Sequence, residues 1–97
     1  MIFLMRFVIS GRSMEPTFRE GQTLLVSAIP YLFQQPRIGE VVVIKDSRDG
    51  RLLLKRITKK EEDSFFVVGD SPKDSTDSRT FGSITKADIV GKVIRKI

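Results

Sequence analysis

Glu40-Val41-Val42-Val43-Ile44-Lys45-Asp46-Ser47-Arg48-Asp49-Gly50-Arg51-Leu52-Leu53-Leu54-Lys55-Arg56-Ile57 sets two apolar runs on either side of a polar segment that closes with Asp-Gly. β-Branched side chains suit a pleated, half-buried surface better than a helix. Asp and Gly both tolerate positive φ, so Asp49-Gly50 between such runs is a hairpin signal. The stretch predicts two antiparallel strands, residues 40–45 and 51–57. Outward from this hairpin the same texture continues, with further strands expected over residues 3–9, 23–27, 64–68 and 89–95 and no helical period in between. The chain is therefore expected to be all-β or nearly so, a single domain over residues 1–97 built of coiled antiparallel sheets. Its 97 residues suffice for one modest core.

Two segments interrupt this pattern. Lys59-Lys60-Glu61-Glu62-Asp63 is expected to be a solvated turn. Pro30-Tyr31-Leu32-Phe33-Gln34-Gln35-Pro36 admits two placements: packed on the core, or projecting as an apolar tip toward a membrane or substrate.

Composition excludes several chemistries. The chain has no cysteine and no histidine, which removes disulfides, thiolate catalysis and the commonest metal ligands. No cofactor or metal is expected. The formal charge of +5 suits an anionic surface and suits a soluble protein equally. Met1-Ile2-Phe3-Leu4-Met5 is cut short by Arg6, far below the roughly 20 apolar residues of a spanning helix, and lacks a signal-peptide layout. The expectation is a soluble chain, cytoplasmic or peripheral at a membrane surface.

Without histidine, a serine nucleophile needs another base. Ser13 sits in Ser10-Gly11-Arg12-Ser13-Met14-Glu15-Pro16-Thr17-Phe18, a turning segment bracketed by Gly and Pro, and Lys55 follows Leu52-Leu53-Leu54. Side chains alternate across a strand, so Leu53, Lys55 and Ile57 share one face while Leu52, Leu54 and Arg56 share the other. To serve as a base near neutral pH the amine must fall well below its ordinary pKa of about 10.4, and burial among aliphatic groups drives it that way.

A third stretch, Gly69-Asp70-Ser71-Pro72-Lys73-Asp74-Ser75-Thr76-Asp77-Ser78-Arg79-Thr80-Phe81-Gly82, is almost free of apolar residues. Long loops of that kind inside a small domain are usually functional or disordered. The spacing of Asp70, Asp74 and Asp77 does not follow the ligand order of a calcium-binding loop.

In this order the stretches resemble the signal peptidase I family of serine-lysine proteases: Ser13-Met14-Glu15-Pro16-Thr17 like its nucleophile box, Arg37-Ile38-Gly39-Glu40-Val41-Val42-Val43 like the next strand, and Lys55-Arg56-Ile57 like its base box. Gly69-Asp70-Ser71 through Ser75, Asp77-Ser78-Arg79 and Phe81-Gly82 resemble the last box. The size of the chain resembles the small branch described as nickel-type superoxide dismutase maturation proteases. The resemblance implies Ser13 as nucleophile and Lys55 as general base. It implies Ser75 as the hydroxyl that orients the lysine, Asp77 with Arg79 as a bracing ion pair, and Gly69 and Asp70 as the wall beside the lysine.

Phe7, Ile9, Met14 and Leu54 would line shallow pockets for small side chains, with Gly11 where some members carry an oxyanion-binding hydroxyl. The implied activity is serine endopeptidase action that removes a signal or leader segment, cutting after small side chains of a protein or peptide substrate bound as an added strand. Two alternatives stay open: an inactive peptide-binding module of the same fold, and a small basic β-barrel that binds nucleic acid. Against the second, the few aromatic residues lie mostly in apolar runs instead of alternating with basic ones. No nucleic acid partner is expected.

Overall fold

The computed structural model describes residues 4–71 and 82–97. Among these residues seven strands, β1 (Leu4–Val8), β2 (Thr23–Ser27), β3 (Val41–Lys45), β4 (Leu52–Glu61), β5 (Ser64–Val68), β6 (Ile84–Thr85) and β7 (Ile89–Lys96), form one antiparallel sheet in the order β1-β2-β7-β3-β4-β5-β6. A one-turn helix, α1 (Pro30–Phe33), lies between β2 and β3, and a 3₁₀ turn over Lys86–Asp88 precedes β7.

The hairpin that opened the sequence is present, with Val41 paired to Arg56, Val42 to Lys55 and Lys45 to Leu52. Its loop closes through the Asp46 N–H donating to the Arg51 carbonyl at 2.8 Å, and only Gly50 takes positive φ, at 77°. Asp49 contributes its carboxylate instead, which accepts the Arg51 N–H at 3.0 Å.

The unbroken run in β3 has a physical reason. Val43 joins Ile9, Met14, Phe18, Leu24, Val26 and Leu54 in one core cluster. Val42 and Ile44 join Tyr31, Ile57, Phe65, Val67 and Ile84 in another. Both faces of β3 are therefore buried, and a doubly covered strand has no polar face to alternate with. The register shifts between Ile57 and Lys59 on β4, between Val43 and Ile44 opposite β7, and between Leu25 and Val26 opposite β7. Such bulges bend and twist a strand locally, which lets one sheet curl over two cores.

The charged tract corrects one expectation. β4 runs on through Lys59, Lys60 and Glu61, which pair with Phe66, Phe65 and Ser64, and the turn is confined to Glu62 and Asp63. Exposed charged side chains are compatible with a strand whose backbone is paired, and Lys59 and Lys60 lie 5.6 and 5.8 Å from the Phe66 and Phe65 ring centroids. The segment 30–36 divides between the two placements: Tyr31 and Pro36 are buried, while Leu32 and Phe33 are exposed.

Candidate active site

The chain between β1 and β2 is a long loop with a tied base. The Ile9 N–H donates to the Gln22 carbonyl at 2.9 Å, and the Gly21 N–H to the Ile9 carbonyl at 2.8 Å. Inside the loop, Met14 and Phe18 are buried in the first core cluster and pin its middle down, with the Phe18 N–H bonded to the Met14 carbonyl at 3.0 Å. Ser13, next to the Met14 anchor, is thereby held half-exposed beside the start of β4.

Ser13 and Lys55 line the same small cleft, about 130 Å³, with Ser10, Gly11, Arg12, Arg51 and Leu53. Strand alternation places Arg51, Leu53 and Lys55 on one face of the chain. Lys55 is only 2% exposed. Its flanking residue Ile57 is fully buried and Leu53 half-buried, and its cross-strand partner Val42 is fully buried. A lysine this inaccessible is rare among folded proteins, which keep most lysines at the surface. Arg12 and Arg51 give the cleft a cationic lip, Arg51 being ion-paired to Asp49 at 3.0 Å.

The residue before Arg12 is conformationally special. Gly11 sits at φ 87°, a region that L side chains rarely adopt, and its N–H donates to Glu20 Oε2 at 2.9 Å. That N–H is thus spoken for. The N–H of Ser13 donates to no other described residue.

Asp70 occupies a junction that the sequence only half revealed. Its carboxylate receives a two-pronged ion pair from Arg56, Nε and one terminal nitrogen each at 2.9 Å, and accepts the Thr17 hydroxyl at 2.6 Å. Arg56 also donates to the Gly39 carbonyl at 2.9 Å, and the Ser71 N–H donates to the Ser13 carbonyl at 2.8 Å. The Ser13 loop, β4 and the chain leaving β5 are locked together here. The Arg56 guanidinium, with help from Thr17, holds the Asp70 carboxyl below its ordinary pKa against the opposing effect of burial.

Asp70→Asn should therefore cost about 2 kcal/mol at neutral pH, the scale of hydrogen bonds to a charged group. A depressed carboxyl stabilises the fold above its unfolded pKa of about 4 and loses that contribution as pH falls through the lower folded value. Thermal melts of the two proteins should differ by a constant amount near neutrality and converge in acid. A gap that persists unchanged at low pH would mean that charge is not what the site uses.

Of the other residues singled out from sequence, Ile9, Met14 and Leu54 meet in the first core cluster with Phe7 packed against it, and Gly69 is buried. The aliphatic residue on the cleft itself is Leu53, not Leu54. Ser75, Asp77 and Arg79 lie outside the described residues, as does Asp74. Arg12, Arg51, Thr17 and Arg56 were not singled out as site residues. The same alternation that selected Leu53 and Lys55 would have found Arg51. Nothing local could have joined Thr17 to an aspartate 53 residues away.

A family model described as "Signal peptidase, peptidase S26" matches residues 1–60 and 58–97. The chain is similar to the mitochondrial ATP-independent inner membrane protease subunit 2 of Arabidopsis thaliana, 32% identical over 112 residues that cover 87% of this chain and 53% of that protein. It is similar also to signal peptidase I U of Bacillus subtilis, 30% identical over 70 residues, 72% of this chain and 37% of that protein. The chain thus spans about half or less of the length of these relatives.

Proposed function

The chain belongs to the signal peptidase family, peptidase S26, and from that membership we propose that it is a serine endopeptidase in which Ser13 attacks the scissile carbonyl and Lys55 takes the proton. The observation that carries this reading is the shared cleft, with a nearly inaccessible lysine beside a half-exposed serine.

Ser13 Oγ attacks as its proton passes to a neutral Lys55 Nζ, and the tetrahedral oxyanion accepts the Ser13 N–H. With the Gly11 N–H held by Glu20, the backbone of Ser13 carries more of that task. Collapse of the intermediate breaks the peptide bond, and Lys55 returns the proton to the leaving amine. Water then attacks the acyl carbon as its proton passes to Lys55, and collapse of the second tetrahedral intermediate breaks the bond to Ser13 Oγ, which takes that proton back from Lys55 as the acyl group leaves as a carboxylic acid. Burial suits Lys55 to this cycle because desolvation disfavours the ammonium form. Ser75 orients the amine and Asp77 with Arg79 braces the site, as in the family pattern.

The sheet supports a place for the substrate. Among the described residues β5 pairs with β4 only from Arg56 onward, so the edge of Leu52–Lys55 turned away from β3 has no strand partner there, and β1 pairs only with β2. An extended peptide can add between these two edges through main-chain hydrogen bonds, its small side chains facing the surface formed over Phe7, Ile9, Met14 and Leu54. The substrates we propose are leader or signal segments with small residues one and three positions before the cut.

A mixed peptide library incubated with the protein, followed by mass spectrometry of the products, tests activity and preference together. The expected result is cleavage after Ala, Ser or Gly with a second small residue two positions earlier. Cleavage with no such preference, or none at all from a folded protein, counts against the proposal.

A further inference from the structure

Two arginines stand in the cleft without a part in the chemistry proposed above. Arg12 precedes the nucleophile, Arg51 lies two residues before Leu53 and four before Lys55, and all of them line the same small cleft. Arg12 forms no ion pair with another described residue. Arg51 pairs with Asp49 at 3.0 Å, but the two side chains are 66% and 46% exposed. A pair that open to water is worth little, so a second carboxylate can share or replace it. Two carboxylates touch this region, Glu20 on the Gly11 N–H and Asp49 on Arg51. Neither lines the cleft, nor does any other carboxylate of the described residues.

Strand geometry, taken with the protease reading on which this inference rests, says which substrate residue meets that charge. β5 takes the edge of β4 from Arg56 onward, which leaves Leu52–Lys55 open for the acyl half of the substrate, running parallel to β4 with its scissile carbonyl at the Lys55 end. Neighbouring strands lie about 5 Å apart and keep residues abreast on a common face. A small side chain just before the cut, facing the surface over Leu54, lies opposite Leu54. The residue two before the cut is then opposite Leu53, the third opposite Leu52, and the fourth opposite Arg51. That fourth residue shares the face of Arg51, Leu53 and Lys55, where a guanidinium presents paired N–H donors that match a carboxylate. We propose that Arg51, together with Arg12, forms a subsite for an acidic side chain four residues before the cut. The substrate class narrows accordingly to segments with Glu or Asp there and small residues at positions one and three.

Soluble peptides carrying Glu-Ala-Gln-Ala, Gln-Ala-Gln-Ala or Lys-Ala-Gln-Ala before the cut are the probes. On the wild-type protein kcat/KM should fall in that order, with Glu about fivefold above Gln and Lys below both. Salt at about 1 M should shrink the differences, because exposed charges are then screened. Arg51→Glu should invert the order and put the Lys peptide first, and Arg12→Gln should narrow the gap without inverting it. Each ratio compares peptides on one protein, so a change in absolute rate drops out. Both arginines are exposed, and the Arg51 carbonyl accepts the Asp46 N–H at 2.8 Å whatever its side chain, so circular dichroism should be unchanged.

Fluorescence anisotropy of the same peptides, labelled, on Ser13→Ala should give the same order without cleavage. That order in a chain whose wild type cuts none of the peptides would uphold the subsite while removing the protease chemistry, which keeps the two failures distinct. Equal binding and equal kcat/KM for the three peptides overturn the proposal. So does an order that survives Arg51→Glu, or an equal gain from a Glu placed just after the cut, because the charge would then act without a defined position.

Discussion

Ser13→Ala and Lys55→Met should each remove peptide cleavage by a factor on the order of 10⁴ or more, and the double variant should be no worse than either single one, because nucleophile and base act as one unit. Methionine is chosen at Lys55 because the side chain is buried on the face of the sheet that also carries Val42 and Ile57, and a straight chain of similar volume fills that space where alanine would leave a cavity. Ser13 is only half-buried on a loop anchored through Met14 and Phe18, so its loss should leave the melting temperature within error. Progress curves on one soluble peptide, with circular dichroism of all three variants, check the result. Cleavage above about a tenth of the wild-type rate in a folded single variant would remove that residue from the chemistry.

Gly91→Val should produce the largest loss of stability, about 3 kcal/mol or more by the scale of overpacked sites. Gly91 lies on β7 opposite Val43, and a Cβ built there would come within 2.9 Å of the Ser27 carbonyl carbon and oxygen and of a Val26 methyl. Two of those atoms are backbone, which cannot swing aside as a side chain can. β7 joins the β1-β2 half of the sheet to the β3-β4 half, so prying it from β2 weakens the molecule at its middle. A glycine inside a strand often marks such a close approach. Denaturant titration reads the loss directly. A midpoint within error of wild type would show that the strands separate there at little cost.

Five of the expected strands were legible within a residue or two at each end, because they carry β-branched or aromatic runs bounded by turn residues. The sixth expected strand began where foreseen but continued past Ile57 through Lys59, Lys60 and Glu61. Local polarity argued for a turn there, while pairing with β5 satisfies the backbone whatever the side chains are. β6 is two residues long, too short to show any periodicity. The pairing order was not legible either, since β7 inserts between β2 and β3 through contacts between residues far apart in sequence.

At the site, Lys55 and its aliphatic neighbours followed from alternation alone. The placement of Ser13 beside them depends on a loop closed by Ile9, Gln22 and Gly21 and tied to Ser71. The Thr17, Asp70 and Arg56 junction has no signature in composition or spacing. A charge pair near the lysine was foreseen from the family pattern at Asp77 and Arg79, beyond the described residues, whereas the one that can be described joins Arg56 to Asp70.

The central claim is that a buried, neutral Lys55 activates Ser13, and the pH dependence of kcat/KM on a soluble peptide tests it most directly. A base must be deprotonated to act, so activity should rise with pH. For a lysine only 2% exposed, with Leu53, Ile57 and Val42 beside it on its face of the sheet, the midpoint of that rise should lie well below the ~10.4 of a free side chain. Leu53→Asn, which admits water to the cleft side of the amine, should move the midpoint upward while the protein stays folded. A wild-type profile that begins to rise only near pH ~10, as an ordinary solvated lysine would give, or one that Leu53→Asn leaves in place, would contradict the account.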